Sequence, residues 1–168
     1  MTDQIRTQRL MIRQPGLADA EACVRHLGNL AVARWLGMVP HPYTRADAVA
    51  FITEYSSGLP KSAFIFDADG LVGGIGIGDE LGYWLAPHAW GKGYATEAAT
   101  ALIDHYFATT RADAIRSGYF VGNVRSKNVL AKLGFTPTGR RKMTPRSTGL
   151  ETEHFDVTLT RSDWEARA

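Results

Sequence analysis

The feature that most constrains the fold is a long amphipathic stretch that follows a glycine-rich turn. Its apolar residues recur at the spacing of one face of an α-helix, in the series Ala95, Ala98, Ala99, Leu102, Ile103 and Tyr106. The segment before the turn, 80–85, has the pattern of a strand and ends before Pro87, and 114–121 is the next predicted strand. A strand, a helix and a strand in this order form a βαβ unit, so we expect a parallel strand pair here.

The other segments predict a mixed sheet with helices on its faces. Four further strands are predicted, at 10–13, 63–66, 71–78 and 155–160, and a hairpin turn at 67–70 joins the middle two. Helices are predicted after Asp19, over 29–36, after Thr44 and over 126–133. We therefore expect an α/β fold with a mixed, mainly antiparallel sheet flanked by helices, rather than a doubly wound dinucleotide-binding fold.

Composition excludes several classes of protein. With 168 residues, the chain is expected to form a single domain over 1–168. A net charge of +2 is too small to indicate nucleic-acid binding. The single cysteine, Cys23, excludes an internal disulfide and a cysteine-rich zinc site, and its helical spacing predicts a core residue rather than a nucleophile. Without a signal-peptide core or an apolar run of about 18 residues, we expect a cytoplasmic protein with no membrane segment.

The turn at 90–95, Trp-Gly-Lys-Gly-Tyr-Ala, is suited to hold an anion. Its two glycines let the backbone turn tightly, and the free amides at the start of the helix favour a phosphate or pyrophosphate. A Walker loop is excluded, because Ala86 and Gly93 stand where it needs glycine and Ser or Thr. The glycine run 73–78 lacks the third glycine of the dinucleotide pattern and is interpreted as a strand that admits a ligand or a bend. Taken alone, the turn is also explained by an ordinary strand-to-helix connection.

Two motifs in a fixed order make the chain resemble a known family. Gly-Tyr-Trp-Leu-Ala-Pro at 82–87, with Trp-Gly-Lys-Gly-Tyr-Ala-Thr-Glu-Ala at 90–98, resembles the acyl-CoA motif of the GNAT superfamily of N-acetyltransferases. The segment 123–135, Asn-Val-Arg-Ser-Lys-Asn-Val-Leu-Ala-Lys-Leu-Gly-Phe, resembles the second motif of that family. Thr-Gln-Arg-Leu-Met-Ile-Arg at 7–13 and Pro-Tyr-Thr at 42–44 are similar to the RimJ/RimL-like branch, which acetylates protein N-termini and small amines. The resemblance covers nearly the whole chain and implies a fold in which two central strands splay apart.

The resemblance implies that acetyl-CoA is bound as a co-substrate and that no metal is needed. In the family, backbone amides of the glycine loop hold the pyrophosphate of CoA. The residues that match these positions are Gly91, Lys92, Gly93, Tyr94 and Ala95. Trp90 departs from the family pattern, which usually opens the loop with Gln or Arg.

The rest of the cofactor would extend from this loop along the splayed strands. By resemblance, Trp84 and Leu85 offer backbone groups to the pantetheine arm, and Asn123 lies across the gap from them. Asn128 and Lys132 match positions near the nucleotide end. Two alternatives stay open, since helix capping also explains Asn123 and a solvated helix surface also explains Lys132.

The family's reaction is direct attack of an amine on the thioester. Many members use a tyrosine as proton donor where this chain has Leu130, so Ser126 is the substitute candidate, with helix capping as its alternative. Glu80 is the preferred general base, because family members often carry a carboxylate before this strand; a solvated strand-start carboxylate is the alternative. His154 is a second candidate for the base, although we expect a surface histidine there.

Fewer sequence features indicate which residues bind the acceptor amine. Trp35, His41 and Tyr43 lie in the region that lines the acceptor pocket in the family, and a packed turn explains them equally. A basic cluster is expected to be solvated surface: Arg140, Arg141, Lys142 and Arg146. The resemblance implies a protein N-terminus or a small-molecule amine as acceptor and allows a monomer or a homodimer. The alternative hypothesis is a non-catalytic acyl-CoA-binding or regulatory module of the same fold.

Overall fold

The strands are divided between two sheets. The computed structural model describes residues 3–167, and the elements below belong to that range. One sheet has five antiparallel strands in chain order: β1 Gln4–Arg6, β2 Met11–Arg13, β3 Ala63–Asp67, β4 Gly70–Ile77 and β5 Leu81–Leu85. The other sheet has three antiparallel strands in the order β6–β8–β7: β6 Ala114–Phe120, β7 Thr136–Met143 and β8 Thr152–Thr160.

Helices cover both faces of these sheets. The α-helices are α1 Ala20–Leu27, α2 Leu30–Ala33, α3 Arg45–Ala50, α4 Tyr94–Thr109, α5 Val124–Leu133 and α6 Arg161–Ala166. A π-helical turn, Phe51–Tyr55, continues α3, and 3₁₀ turns at Leu17–Asp19 and Pro87–Ala89 precede α1 and the glycine loop. This arrangement confirms the mixed α/β, mainly antiparallel class.

The strands β5 and β6 do not form the parallel pair that their βαβ order predicts. Each bonds to an antiparallel neighbour on one edge only, β5 to β4 and β6 to β8. A side-chain bond ties them together, because the Ser117 hydroxyl donates to the Leu81 carbonyl at 2.8 Å. The parallel-pair expectation is therefore corrected to two separate sheets with a gap between β5 and β6, as the resemblance implies.

Two apolar clusters lie on opposite sides of the sheets. The apolar stripe of α4 packs on one side, where Ala98, Ala99, Leu102 and Ile103 have no exposed surface. The buried part of α5, at Leu130 and Leu133, belongs to the same cluster. The second cluster contains residues of α1 and α3 with β3 and β4, among them Cys23, Ala48 and Phe64. We call the first side the α4/α5 side and the second the α1/α3 side.

Several local expectations need correction. β1 and β7 were missed, because β1 is very short and β7 is an exposed edge strand that contains Pro137 and no apolar alternation. Asp19 precedes α1, but its carboxylate bonds to Arg13 at 2.9 Å rather than to a helix amide. The helix predicted over 29–36 is limited to α2, and α5 begins earlier than predicted, at Val124.

Other local expectations hold. Thr44 and Asp47 form the expected capping box at α3, and the turn between β3 and β4 closes the expected hairpin. The glycine run in β4 admits neighbouring protein atoms, because a Cβ at Gly74 would overlap the Trp84 indole and one at Gly76 would overlap the Lys61 carbonyl. Among residues 3–167, no helix has both the length and the apolarity to cross a membrane.

Candidate functional site

The glycine loop presents backbone amides to open space. Gly91 and Gly93 have φ angles of 74° and 79°, a left-handed conformation that side-chain-bearing residues rarely adopt. A Cβ on Gly91 would meet no protein atom within 4 Å, so the loop faces a clear volume. The first backbone bond of α4 runs from the Glu97 amide to the Gly93 carbonyl, which leaves the preceding amides for another partner. The loop therefore fits an anionic group such as a pyrophosphate.

Arg9 holds this loop in place, and the sequence analysis did not single it out. Its guanidinium donates to the Lys92 carbonyl at 2.8 Å and to the Glu97 carboxylate at 2.7 Å. Thr7 also donates to Glu97, at 2.6 Å. Partial burial acts to raise the pKa of Glu97, but the bonds from Thr7 and Arg9 outweigh it and lower that pKa. The sequence feature that could have indicated Arg9 is the Thr-Gln-Arg segment at 7–9, which served above only as evidence of the family resemblance.

A groove of about 560 Å³ continues from the loop along α4. Gly93 and Thr96 line its loop end, and Lys132 lines it from α5. The structure thus brings Lys132 into the same groove as Gly93, and its place at the nucleotide end stays a prediction. Asn128 lies one helical turn before Lys132 and is exposed.

The antiparallel ladder decides which backbone groups of β5 face the gap. The Ala86 amide donates to the Val72 carbonyl, and Trp84 is paired with Gly74 in the same register. Because bonded and non-bonded pairs alternate, Trp84 turns its backbone groups toward β4, whereas Tyr83 and Leu85 turn theirs toward the gap. The prediction for Leu85 is compatible with this geometry, and the prediction for Trp84 is corrected: Tyr83 takes its place.

Trp90 has a structural role that explains its departure from the family pattern. Its indole donates to the Leu85 carbonyl at 2.9 Å and so connects the glycine loop to the end of β5. The Arg125 guanidinium lies over the same ring, 3.6 Å from its centroid. This stack joins the start of α5 to the loop.

Two hydroxyls meet on the α4/α5 side of the gap. The Tyr83 and Ser126 hydroxyl oxygens share a hydrogen bond of 2.7 Å. Burial outweighs the opposing effect of the bond to Ser126 and raises the pKa of Tyr83 to about 12, so the phenol keeps its proton at neutral pH. The helix cap is Asn123, whose side chain accepts from the Ser126 amide at 3.3 Å. The capping alternative therefore describes Asn123, whereas the Ser126 hydroxyl bonds to a tyrosine that the sequence analysis missed.

The candidate bases lie on the α1/α3 side and are connected. Glu80 accepts from Arg141 at 3.3 Å, Arg141 also donates to Asp156 at 3.1 Å, and the His154 Nδ1 lies 3.0 Å from the same Asp156 oxygen. His154 is only 7% exposed, so the expectation of a surface histidine is wrong. Arg141 is exposed, as expected for the basic cluster, and it also joins two acidic side chains.

The three predicted acceptor residues differ in their surroundings. Trp35 lies at the mouth of the gap, where its ring is 3.5 Å from the position of a Cβ on Gly122. Tyr43 is buried beside Cys23, and that burial raises the pKa of its phenol. The packed-turn alternative is therefore correct for Tyr43. His41 is exposed on the preceding turn.

Comparison with known proteins assigns this arrangement to a family. A family model described as an acetyltransferase (GNAT) domain matches residues 9–136. The chain belongs to the GNAT acetyltransferase family. It is therefore an N-acetyltransferase by family, as the two sequence motifs indicated.

Relatives of this GNAT protein include enzymes that modify ribosomal proteins. It is 25% identical over 168 residues to YoaA, an uncharacterized N-acetyltransferase of Bacillus subtilis, with coverage of 91% of this chain and 95% of YoaA. It is 36% identical over 84 residues to the ribosomal protein uS5-alanine N-acetyltransferase of Escherichia coli, with coverage of 50% and 43%.

Solved structures share the fold. A GNAT acetyltransferase of Bacillus anthracis superimposes with a TM-score of 0.82 at 23% identity, with coverage of 95% of this chain and 99% of the other. RimL, the ribosomal L7/L12 α-N-protein acetyltransferase solved in complex with coenzyme A, superimposes with a TM-score of 0.80 at 16% identity, with the same coverage.

The bonds of Arg9 to the glycine loop lead to a first prediction. We expect Arg9→Ala to raise the KM for acetyl-CoA roughly tenfold and to change kcat little, because charge-assisted bonds that hold the loop are lost. Steady-state kinetics at varied acetyl-CoA measure both constants. Arg111→Ala is the control, since Arg111 is exposed and lies beyond the far end of α4. An unchanged KM in Arg9→Ala would show that the loop does not depend on Arg9.

Proposed function

We propose that this GNAT acetyltransferase moves an acetyl group from acetyl-CoA directly to the amine of a protein N-terminus or of a small molecule. The observation that carries the proposal is the gap between β5 and β6, which has an anion-binding loop at one end and titratable side chains on both sides. A protein N-terminus is the first choice, because the Escherichia coli relative acts on an alanine of uS5 and RimL acts on L7/L12.

The chain's own residues fit acetyl-CoA along this gap. The amides from Gly91 to Ala95 would hold the pyrophosphate, and Lys132 would face the nucleotide end in the groove beside α4. The backbone groups of Tyr83 would bond the pantetheine arm, whereas the Leu85 carbonyl already accepts from the Trp90 indole. When bound, acetyl-CoA supplies the activated thioester. The Leu85 amide, which faces the gap, is the proposed donor to the oxyanion.

The hydroxyl pair on the α4/α5 side is suited to assist the departing sulfur. The Tyr83 phenol keeps its proton and can donate it to the Ser126 oxygen at 2.7 Å. The Ser126 proton is then available to bond the sulfur as negative charge develops there. In this proposal Ser126 is the donor, as the resemblance suggested, and Tyr83 positions it.

Direct transfer is favoured over an acetyl-cysteine intermediate. Cys23 is buried in the α1/α3 cluster, and burial raises the pKa of its thiol to about 11. A thiol without a thiolate fraction at neutral pH is a poor nucleophile. Cys23 therefore has no part in the proposed reaction.

An acceptor panel tests the proposed function. The full chain is mixed with acetyl-CoA and with peptides that have free or blocked N-termini, or with small amines, and thiol release is followed together with the product's mass. We expect turnover for free N-termini and none for blocked ones. CoA binding without turnover of any amine would favour the non-catalytic module, and absence of CoA binding would contradict both hypotheses.

The glycine loop provides a second prediction. We expect Gly91→Asp to reduce CoA affinity by at least about 100-fold, because a carboxylate would occupy the space in front of the loop and repel the pyrophosphate. Isothermal titration calorimetry measures the affinity. Gly149→Asp is a matched control, since Gly149 also has a positive φ angle and open space around its Cβ position. Equal affinity in the two variants would contradict the loop assignment.

The hydroxyl pair provides a third prediction. We expect Ser126→Ala to lower kcat about 100-fold with little change in CoA affinity, because only the transition state loses a donor. Tyr83→Phe should have a smaller effect in the same direction. Tyr55→Phe is the control, because Tyr55 is 71% exposed and lies outside the gap. A wild-type kcat in Ser126→Ala would remove Ser126 from the mechanism.

A further inference from the structure

Four side chains form a connected network on the α1/α3 side of the gap. Glu80 bonds to Arg141, Arg141 bonds to Asp156, and Asp156 bonds to His154. The residues come from the start of β5, from β7 and from β8. We call these four residues the Asp156 network. The question is which member can take a proton from the acceptor amine.

The His154 ring is held on three sides. Its Nδ1 lies 3.0 Å from an Asp156 oxygen, and its ring meets Phe120 edge-on with 5.1 Å between centroids. The ring also lies directly on β6, because a Cβ at Gly118 would overlap it. This close approach requires glycine at position 118. The imidazole is therefore fixed in one orientation.

The other ring nitrogen, Nε2, has no hydrogen-bond partner among the described residues and is not fully buried. Within residues 3–167 no buried side-chain nitrogen or oxygen is left without a partner, so Nε2 keeps some contact with solvent although His154 as a whole is buried. Because Nδ1 faces a carboxylate that Arg141 also bonds, Nδ1 carries the proton and Nε2 carries the lone pair. This is the tautomer that a general base needs.

The position of His154 relative to the gap supports such a role. The Ser117–Leu81 bond is the point where β5 and β6 are tied, and Gly118 is the next residue along β6. The His154 ring lies against Gly118, so it stands where the gap begins. Ile115 of β6 and Val157 and Leu159 of β8 belong to the cluster on the α4/α5 side, and strand alternation places His154 on the opposite face of β8. The Tyr83–Ser126 pair and His154 thus flank the gap from opposite sides.

We propose that His154 is the general base of the reaction and that Glu80, Arg141 and Asp156 position it. The proposal rests on the proposed function. The amine nitrogen bonds to the thioester carbon, the carbon–sulfur electron pair leaves with the sulfur, and Nε2 accepts the proton that the nitrogen loses. Asp156 then stabilises the imidazolium until it releases that proton to water.

Glu80 thereby acts through Arg141 instead of meeting the amine. Its Oε1 already accepts a bond from the Arg141 guanidinium at 3.3 Å. The charged groups near His154 are Asp156 on its own strand, Arg141 opposite it on β7 and Glu80 beyond Arg141. The residues of β6 that face the ring, Gly118 and Phe120, are uncharged.

The pH dependence of kcat/KM with an amine accepted by the wild type tests the proposal. We expect His154→Gln to lower kcat/KM by about 100-fold or more. In the wild type, kcat/KM should fall toward low pH as the base of the free enzyme becomes protonated, and this acid limb should be absent from His154→Gln. The CoA affinity of His154→Gln should stay within about twofold of the wild type, whereas loss of a purely structural residue would be expected to lower it. Glu80→Gln should keep the acid limb with a smaller loss. His105→Gln, on α4, is the matched control.

The opposite result would overturn the proposal: an acid limb that persists in His154→Gln and disappears in Glu80→Gln makes Glu80 the base. If His154→Gln does not fold, Asp156→Asn replaces it, and an acid limb at the wild-type position would equally contradict the proposal. A measurement that needs no turnover distinguishes failure of this proposal from failure of the proposed function. Nitrogen NMR of the wild type should show the Nδ1-protonated tautomer of His154, and the Nε2-protonated tautomer would exclude it as the base.

Discussion

The separation of β5 from β6 is the constraint on which the site depends. Each strand bonds an antiparallel neighbour on one edge, and the Ser117–Leu81 bond ties their other edges. Backbone amides and carbonyls on those edges, such as the amide of Leu85, are left for a partner. Since buried backbone groups are almost always paired, an extended ligand with alternating polar groups is the occupant such a gap favours. The pantetheine arm of CoA has that chemistry.

The two sheets also give the two sides of the gap different chemistry. On the α4/α5 side, burial keeps Tyr83 protonated, and its bond orients the Ser126 hydroxyl. On the α1/α3 side, the Asp156 carboxylate, which is paired with Arg141, holds the His154 ring through Nδ1. In the proposed reaction, the gap keeps the proton donor Ser126 apart from the proton acceptor His154.

The sequence predicted the elements whose signal is local. The stripe of α4, the hairpin of β3 and β4, and the glycine loop all depend on spacing or backbone conformation within a few residues. Contacts between residues that are far apart in the chain could not be predicted from such local patterns. Tyr83 and Ser126 are 43 positions apart, and Arg9 and Glu97 are 88 apart, so no spacing rule connects them. Strand β7 was missed because an exposed edge strand needs no apolar alternation.

By itself the sequence indicated the family and the turn at the glycine loop, because motifs and glycine conformation act locally. Only the tertiary structure decided which groups face each other across the gap. It corrected the parallel pair to two sheets, directed the backbone groups of Trp84 toward β4 and placed Tyr43 in the core. It also showed that His154 is buried, where a surface residue was expected. The physical reason is that burial and register are set by packing between distant segments, and these determine which side chains keep or accept a proton.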